Sequence, residues 1–246
     1  MSSTDTLRLI EKRKTLIKIN GISKNYYMGD IVVEALKEES VEIYEGELVV
    51  ILGASGSGKS TLLNLLGGMD QATSGVIHIN GRDLSKANDN DLTKYRRKDV
   101  GFIFQFYNLI PDLTAKENIA LAADLASDPM NVDEALKEVG LFDKKNHFPA
   151  QLSGGEQQRI SIARAIVKKP KVLLCDEPTG ALDYKTGKII LSMLEKIARE
   201  KNNTVVIVTH NSNFAAIADR VIKMRSGEII EIINNPEPVS AENIEW

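Results

Sequence analysis

The stretch Leu48-Val49-Val50-Ile51-Leu52-Gly53-Ala54-Ser55-Gly56-Ser57-Gly58-Lys59-Ser60-Thr61 decides how the rest of the chain is read. Its unbroken apolar run predicts a strand covered on both faces. Residues 53–60 then fit the phosphate-loop pattern G-x-x-x-x-G-K-[ST]. Glycines at this spacing let backbone N–H groups turn inward around phosphate oxygens, and the helix that follows aims its positive end at the same anions. Lys59 is placed to reach β- and γ-phosphates, and the Ser60 hydroxyl to bind Mg²⁺. A Gly-rich strand–helix turn with no ligand is the plain alternative. The strand before the loop and the helical pattern after it weigh against that alternative.

Outward from this stretch, short β-branched runs alternate with amphipathic ones. Strands are predicted at residues 16–19, 41–44, 48–52, 76–79, 100–104, 172–175, 204–208, 221–224 and 228–233. Helices are predicted at 59–66, 91–97, 132–139, 156–167, 185–200 and 213–218. Within 185–200, Ile189, Ile190, Met193, Leu194, Ile197 and Ala198 fall on one helical face. The class is α/β with a mainly parallel sheet. The early strands, with turns at Asn20-Gly21, Glu45-Gly46 and Asn80-Gly81, read as an antiparallel flank. No strand signal occurs between Gln105 and Leu152, so residues 105–152 read as a small helical insert. Residues 234–246, polar and acidic with Pro236 and Pro238, read as an irregular tail ending in the only tryptophan, Trp246.

Composition narrows the function classes. The chain has 246 residues, 43% hydrophobic and 26% charged, which excludes a disordered or fibrous chain. Its 31 basic and 34 acidic residues leave a net charge of -3, so nucleic acid is not an expected partner. The run Lys12-Arg13-Lys14 reads as a solvated strand end. One cysteine, Cys175, leaves no internal disulfide framework and reads as buried packing. No apolar run reaches the ~18 residues of a membrane span, and residues 1–14 lack the apolar core of a secretory signal. A cytosolic chain is expected, held at a membrane only through another protein.

Three more motifs carry chemistry. In Val172-Leu173-Leu174-Cys175-Asp176-Glu177 an apolar strand ends in two carboxylates, where open α/β sheets bind ligands. Asp176 is placed to hold Mg²⁺ and Glu177 to take a proton from an attacking water. Alone, the pair also reads as an acidic strand end before Pro178. His210 follows another buried-type strand and so lies at the same edge, within reach of a γ-phosphate oxygen. Leu152-Ser153-Gly154-Gly155-Glu156-Gln157-Gln158-Arg159 opens a helix, with Ser153 and Glu156 spaced as a capping box. Gly154 and Gly155 add little to a cap, but they bare consecutive N–H groups at a helix start, a second anion site.

LSGGEQQ resembles the signature motif of ABC-transporter ATPases. With the phosphate loop, the 172–177 strand and His210, motif order and spacing resemble that family over nearly the whole chain. The resemblance implies an ABC ATPase fold: a P-loop NTPase core (1–104 and 153–233) with an antiparallel β flank, a helical subdomain (105–152) with the signature at its end (152–159), and the tail (234–246). It implies that residues 53–60 and Thr61 bind ATP, and that Gln105 resembles the Q-loop glutamine, sensing Mg²⁺ and a membrane partner. Ala181-Leu182-Asp183 resembles the D-loop, with Asp183 crossing a dimer interface. Tyr26 resembles the aromatic that stacks on adenine, with Tyr27 as the neighbouring candidate. Two copies are implied to sit head to tail, so that Ser153, Gly154, Gly155 and Glu156 of one cover the γ-phosphate bound by the other.

Residues 104–111, 178–183 and 26–36 resemble the macrolide-exporter and lipoprotein-release branch, although the stretch from Asn118 to Val132 is short for it. The function implied is a Mg²⁺-dependent ATPase subunit at the cytoplasmic face of the membrane, driving a separate integral-membrane permease. A regulator of a cell-envelope or division complex is the alternative. A soluble relative serving DNA repair or translation is disfavoured, because the chain has neither a long coiled coil nor a tandem cassette. The apolar cluster Phe106, Tyr107, Leu109 and Ile110 reads either as packing for the helical insert or as a socket for a helix of the permease.

Overall fold

The computed structural model describes residues 14–245. Lys12, Arg13 and Trp246 lie outside the described residues. Lys14, the last of the basic run, pairs with Glu45 at 2.7 Å beside the first strand.

Two sheets share the chain. The first is antiparallel, in the order β2-β1-β4-β5, with β1 at Thr15–Met28, β2 at Ile31–Tyr44, β4 at Ser74–Ile79 and β5 at Arg82–Asp83. The second has the order β10-β9-β3-β8-β7-β6. Its strands are β3 (Leu48–Leu52), β6 (Val100–Ile103), β7 (Val172–Asp176), β8 (Thr204–Thr209), β9 (Arg220–Arg225) and β10 (Glu228–Asn234). All neighbours pair parallel except β10 with β9. Side chains alternate across these strands, so Val50, Leu173 and Ile207 enter one apolar core while Val49, Leu174 and Val206 enter another on the opposite face.

The first core is closed by α3 (Ala115–Ala123), α4 (Val132–Glu138), α5 (Gly154–Ile166) and α6 (Tyr184–Lys201). The second is closed by α1 (Lys59–Leu66), α2 (Asp89–Lys98) and the antiparallel sheet. Both faces of the parallel sheet are therefore dry, as its apolar strands require. Cys175 is fully buried there, and burial pushes its thiol up, so it is packing.

Several elements depart from expectation. Asn20-Gly21 is not a turn. It is a bulge inside β1, where the register slips between Ile19 and Ile22 and Gly21 adopts a φ of 56°. The hairpin turns instead at Gly29-Asp30, and both strands run far beyond residues 16–19 and 41–44. Their outer halves keep apolar side chains exposed, which erases the alternation that marks a half-buried strand. Helix α3 lies within the helical insert expected at residues 105–152 and has a full capping box between Thr114 and Glu117. On α6, Ile189 is exposed and off the apolar stripe, and Leu191 is buried instead. Residues 213–218 are a 3₁₀ turn, Ser212–Ile217, rather than an α-helix. The segment after Asn234 is not a loose tail. It forms a 3₁₀ turn at Ala241–Asn243, buries Ala241 and Ile244 in the first core, and ties Asn235 N–H to the Asp219 carbonyl at 2.7 Å.

A buried ion pair at the end of the parallel sheet holds the end of β2 through its backbone, with the Tyr44 N–H donating to Glu47 Oε2 at 2.9 Å. Arg220, at the start of β9, lies 2.9 Å from both carboxylate oxygens of Glu47 through Nε and Nη2, and Nη2 also donates to the Glu42 carbonyl on β2. Burial pushes the Glu47 carboxyl up, opposed by the Arg220 charge. Among the described residues, no helix is long and apolar enough to cross a membrane.

Lys168, just past α5, is a half-buried cation. Its Nζ donates to the carbonyls of Arg96 at 2.9 Å and Val100 at 2.7 Å, and burial pushes its amine down to about 8 from 10.5. Between these values the unfolded chain holds more protons than the folded one. This site's penalty is therefore complete below pH 8 and fades as pH rises towards 10.5. Urea unfolding of Lys168→Met beside the wild type is expected to show the stability difference shifting in favour of the wild type across that window.

Candidate functional site

Strand β3 delivers the phosphate loop and α1 leaves it. The loop is clamped from behind: the Gly227 N–H donates to the Ser57 carbonyl at 3.1 Å. A Cβ at Gly58 would sit 2.6 Å from the Ala35 carbonyl, and one at Gly53 would sit 2.4 Å from the Met224 carbonyl. Gly58, with φ 95°, caps α1 without any side-chain acceptor, so the first-turn N–H groups remain available to an anion. Lys59 is 7% exposed and folds back over the loop, donating to the carbonyls of Gly53 at 2.8 Å and Ala54 at 2.9 Å.

The carboxyl ends of β7 and β8 complete the wall. Ser60 Oγ donates to Asp176 Oδ1 at 3.2 Å, and burial pushes the Asp176 carboxyl up while this bond opposes it. A hydroxyl beside a desolvated carboxylate is the hard-oxygen donor set that suits Mg²⁺, so these residues fit the ion. Glu177 holds a left-handed φ of 46°. For a non-glycine residue that conformation costs on the order of 1–3 kcal/mol. Its carboxylate accepts from Thr209 Oγ1 at 3.0 Å and the His210 N–H at 3.0 Å, and pairs with His210 Nδ1 at 2.8 Å.

These groups line one open cleft of about 680 Å³, formed by residues 55–61, Tyr26, Gln105, Asp176, Glu177 and His210. Tyr26 and Tyr27 are neighbours on a strand and point to opposite faces. Tyr26 enters this cleft, and Tyr27 lines a separate one beside Met69 and Arg96. The Tyr26 hydroxyl donates to Asp70 Oδ2 at 2.8 Å and Lys24 Nζ lies 4.8 Å from its ring centre, which fixes the ring.

The signature residues stand apart from that cleft. Ser153 caps α5, accepting from the Glu156 N–H at 3.3 Å, and its own N–H donates to Glu156 Oε2 at 2.8 Å, which holds the Glu156 carboxyl down. A Cβ on Gly154 would lie 2.7 Å from the Tyr107 hydroxyl, and one on Gly155 would lie 2.1 Å from Thr186 Cγ2. Asp183 caps α6, accepting from the Thr186 N–H at 3.1 Å and Thr186 Oγ1 at 2.6 Å, which holds its carboxyl down. Within one chain, neither Ser153 nor Asp183 lines the cleft that holds Lys59.

Two positioning residues escape the motif reading. Gln158 on α5 is buried and donates to the carbonyls of Phe104 at 3.2 Å and Pro178 at 2.7 Å, joining the approaches to Gln105 and to Glu177. Arg164 donates to the carbonyls of Asn108 at 2.5 Å and Tyr107 at 2.8 Å. The visible signal for Gln158 was a polar residue on the apolar stripe of a helix. Arg164 answers a loop whose Tyr107 and Asn108 both have positive φ, which no sequence rule announces. That loop divides the apolar cluster: Leu109 packs against the first core, Tyr107 is half-buried, and Phe106 (73%) and Ile110 (39%) are exposed. The four residues are therefore not one surface.

Residues 36–180 match the family described as ABC transporter. Over 234 residues the chain is 44% identical to the macrolide export ATP-binding/permease proteins MacB of Shigella flexneri and Escherichia coli strain K12, covering 93% of this chain and 36% of each relative. It thus spans about a third of the length of those curated relatives. Among solved structures it is similar to the dimeric ATP-binding cassette MJ0796 in a post-hydrolysis state bound to ADP and Pi. The TM-score is 0.82 and the identity 42%, covering 89% of this chain and 98% of that one. It is also similar to cbiO1 from Clostridium perfringens, part of the ABC transporter complex cbiONQ, with a TM-score of 0.78, 29% identity, and 90% and 89% covered.

The close approach at Gly155 is testable. Gly155→Ala is expected to overpack against the Thr186 methyl and destabilise the fold by about 1–3 kcal/mol. Thr186→Ser removes that methyl, keeps the hydroxyl on Asp183, and is expected to restore most of the loss in urea unfolding.

Proposed function

We propose that this chain, which belongs to the ABC transporter family, is the motor part of a membrane export system. It binds ATP and hydrolyses it. The observation that carries the reading is the meeting of Lys59, Ser60, Asp176, Glu177 and His210 in one cleft.

On ATP binding, Lys59 leaves the Gly53 and Ala54 carbonyls for the β- and γ-phosphates, and N–H groups of residues 53–61 cradle the same oxygens. The Tyr26 ring stacks on adenine. Ser60 and Asp176, with Gln105 beside them, would hold Mg²⁺, which would supply charge neutralisation on the phosphates. Water oxygen attacks the γ-phosphorus in line, the bond to the ADP oxygen breaks, and Glu177 accepts the water's proton. His210 donates to a γ-phosphate oxygen. Catalysis is mostly positioning and charge stabilisation.

Ser153, Gly154, Gly155 and Glu156 lie outside the cleft of their own chain, so a second copy supplies them across the γ-phosphate, with Asp183 crossing the interface. ATP closes this head-to-tail dimer and hydrolysis opens it. The dimeric state of the similar cassette supports the arrangement. An integral-membrane permease holds the chain at the cytoplasmic face of the membrane. Export as the direction of transport follows the name of the similar macrolide export proteins. Phe106, exposed next to Gln105, and Ile110, exposed further along the same loop, form the permease contact, so that docking and hydrolysis meet in one loop.

Glu177→Gln keeps the nucleotide contacts and loses the proton acceptor. ATP-bound dimer is expected to accumulate, read as a doubling of mass by light scattering, with hydrolysis lost. A monomer at saturating ATP argues against the closed dimer. Replacing Phe106 and Ile110 with Ser is expected to leave basal hydrolysis near normal and abolish co-purification with the permease.

A further inference from the structure

We infer that residues 240–245 form a strap that positions the base Glu177 from behind the catalytic edge. The inference rests on the proposed role of Glu177 and deepens it. The segment after β10 has the composition of a loose tail, yet its turn is moored. Glu195 on α6 accepts from the Ala241 N–H at 2.8 Å and from Ser240 Oγ at 3.4 Å, and Ile244 is seated in the first core.

Two consecutive carbonyls of this strap are gripped by the first turn of α6 and by the 3₁₀ turn after His210. The Tyr184 hydroxyl donates to the Ile244 carbonyl at 3.2 Å, and Asn213 Nδ2 donates to the Glu245 carbonyl at 2.8 Å. Tyr184 directly follows Asp183, and Asn213 lies just past His210. The strap therefore fixes the spacing between the segments that carry Asp183 and His210.

From Asn213 a relay runs to the base. The Asn213 N–H donates to Asn211 Oδ1 at 3.0 Å, and the Asn211 N–H donates to Thr209 Oγ1 at 3.1 Å. Thr209 Oγ1 then donates to Glu177 Oε2 at 3.0 Å. A hydroxyl whose oxygen already accepts an N–H directs its own proton elsewhere, here onto the carboxylate. One oxygen of Glu177 is thus held by Thr209 and the other by His210. When the His210 ring turns to the γ-phosphate, Oε1 gives up the ring contact for the water and keeps only the His210 N–H, while Oε2 stays held by Thr209. The strap, acting through Asn213, keeps that second hold in place. Tyr184, Asn213 and Ile244 are positioning residues, and none of them lines the nucleotide cleft.

The test uses the full chain with Asn213→Ala and Tyr184→Phe, singly and combined. Loss of these two bonds is expected to lower kcat of the double variant by about tenfold, which is about 1.4 kcal/mol for the two together. KM for ATP and the affinity for a fluorescent ATP analogue should stay within twofold, and the melting temperature within a few degrees. Asn213→Asp keeps the shape and removes the donor, so it should follow Asn213→Ala rather than the wild type. Unchanged kcat in the double variant overturns the strap. So does a parallel loss of kcat, affinity and melting temperature, which marks a general loosening. Glu177→Gln in the same assay separates the two ideas. If it is inactive while the double variant runs at the wild-type rate, the strap alone fails. If it turns over normally, the role of Glu177 fails and takes the strap with it.

Discussion

The register of three parallel strands is the constraint from which the site follows. β3 pairs with β8 so that Leu52 lies opposite Thr209, and β7 pairs with β8 so that Asp176 lies opposite Val208. The residues that come next, Gly53, Glu177 and His210, must then emerge side by side. A slip of one residue along β8 would reverse which face each side chain enters, and the two dry cores forbid it. Packing of apolar side chains far from the cleft thereby sets distances between polar groups within it.

The cleft's own groups satisfy one another. Lys59 bonds to its loop, Ser60 to Asp176, and Glu177 to Thr209 and His210. Each of these bonds except the one from Thr209 involves an atom that the proposed chemistry needs elsewhere. A ligand exchanges these bonds for others and leaves none empty, which keeps the cost of opening small. The left-handed backbone at Glu177 belongs to the same economy: it is held by the Glu177 N–H bond to the Val208 carbonyl and by the packing beneath.

Much of this was legible before any coordinates. Strands buried on both faces announce themselves as apolar runs, and the loop, the acidic strand end and the helix opening at Ser153 each carry residues whose spacing has a physical reason. What stayed hidden was the consequence of side chains meeting across the fold. The β1–β2 hairpin was truncated because Tyr27, Met28, Ile31 and Val32 are exposed where alternation demands polar residues. The order of residues 235–245 was invisible because its partners, Glu195, Tyr184 and Asn213, are scattered along the chain. Tyr26 and Tyr27 differ only in which way a strand turns them. Thr186 offered no motif, yet its methyl sits where a side chain on Gly155 would go and its hydroxyl holds Asp183.

The ion pair between Arg220 and Glu47 makes the molecule a caliper. Tyr26 stands on the antiparallel sheet, the phosphate loop issues from the parallel one, and this pair ties the two jaws through its bonds to the Glu42 carbonyl and the Tyr44 N–H of β2. In the proposed pose the purine meets one jaw and the terminal phosphates the other. The span between the two contacts is then set by how two sheets are fastened, at residues that line no part of the cleft.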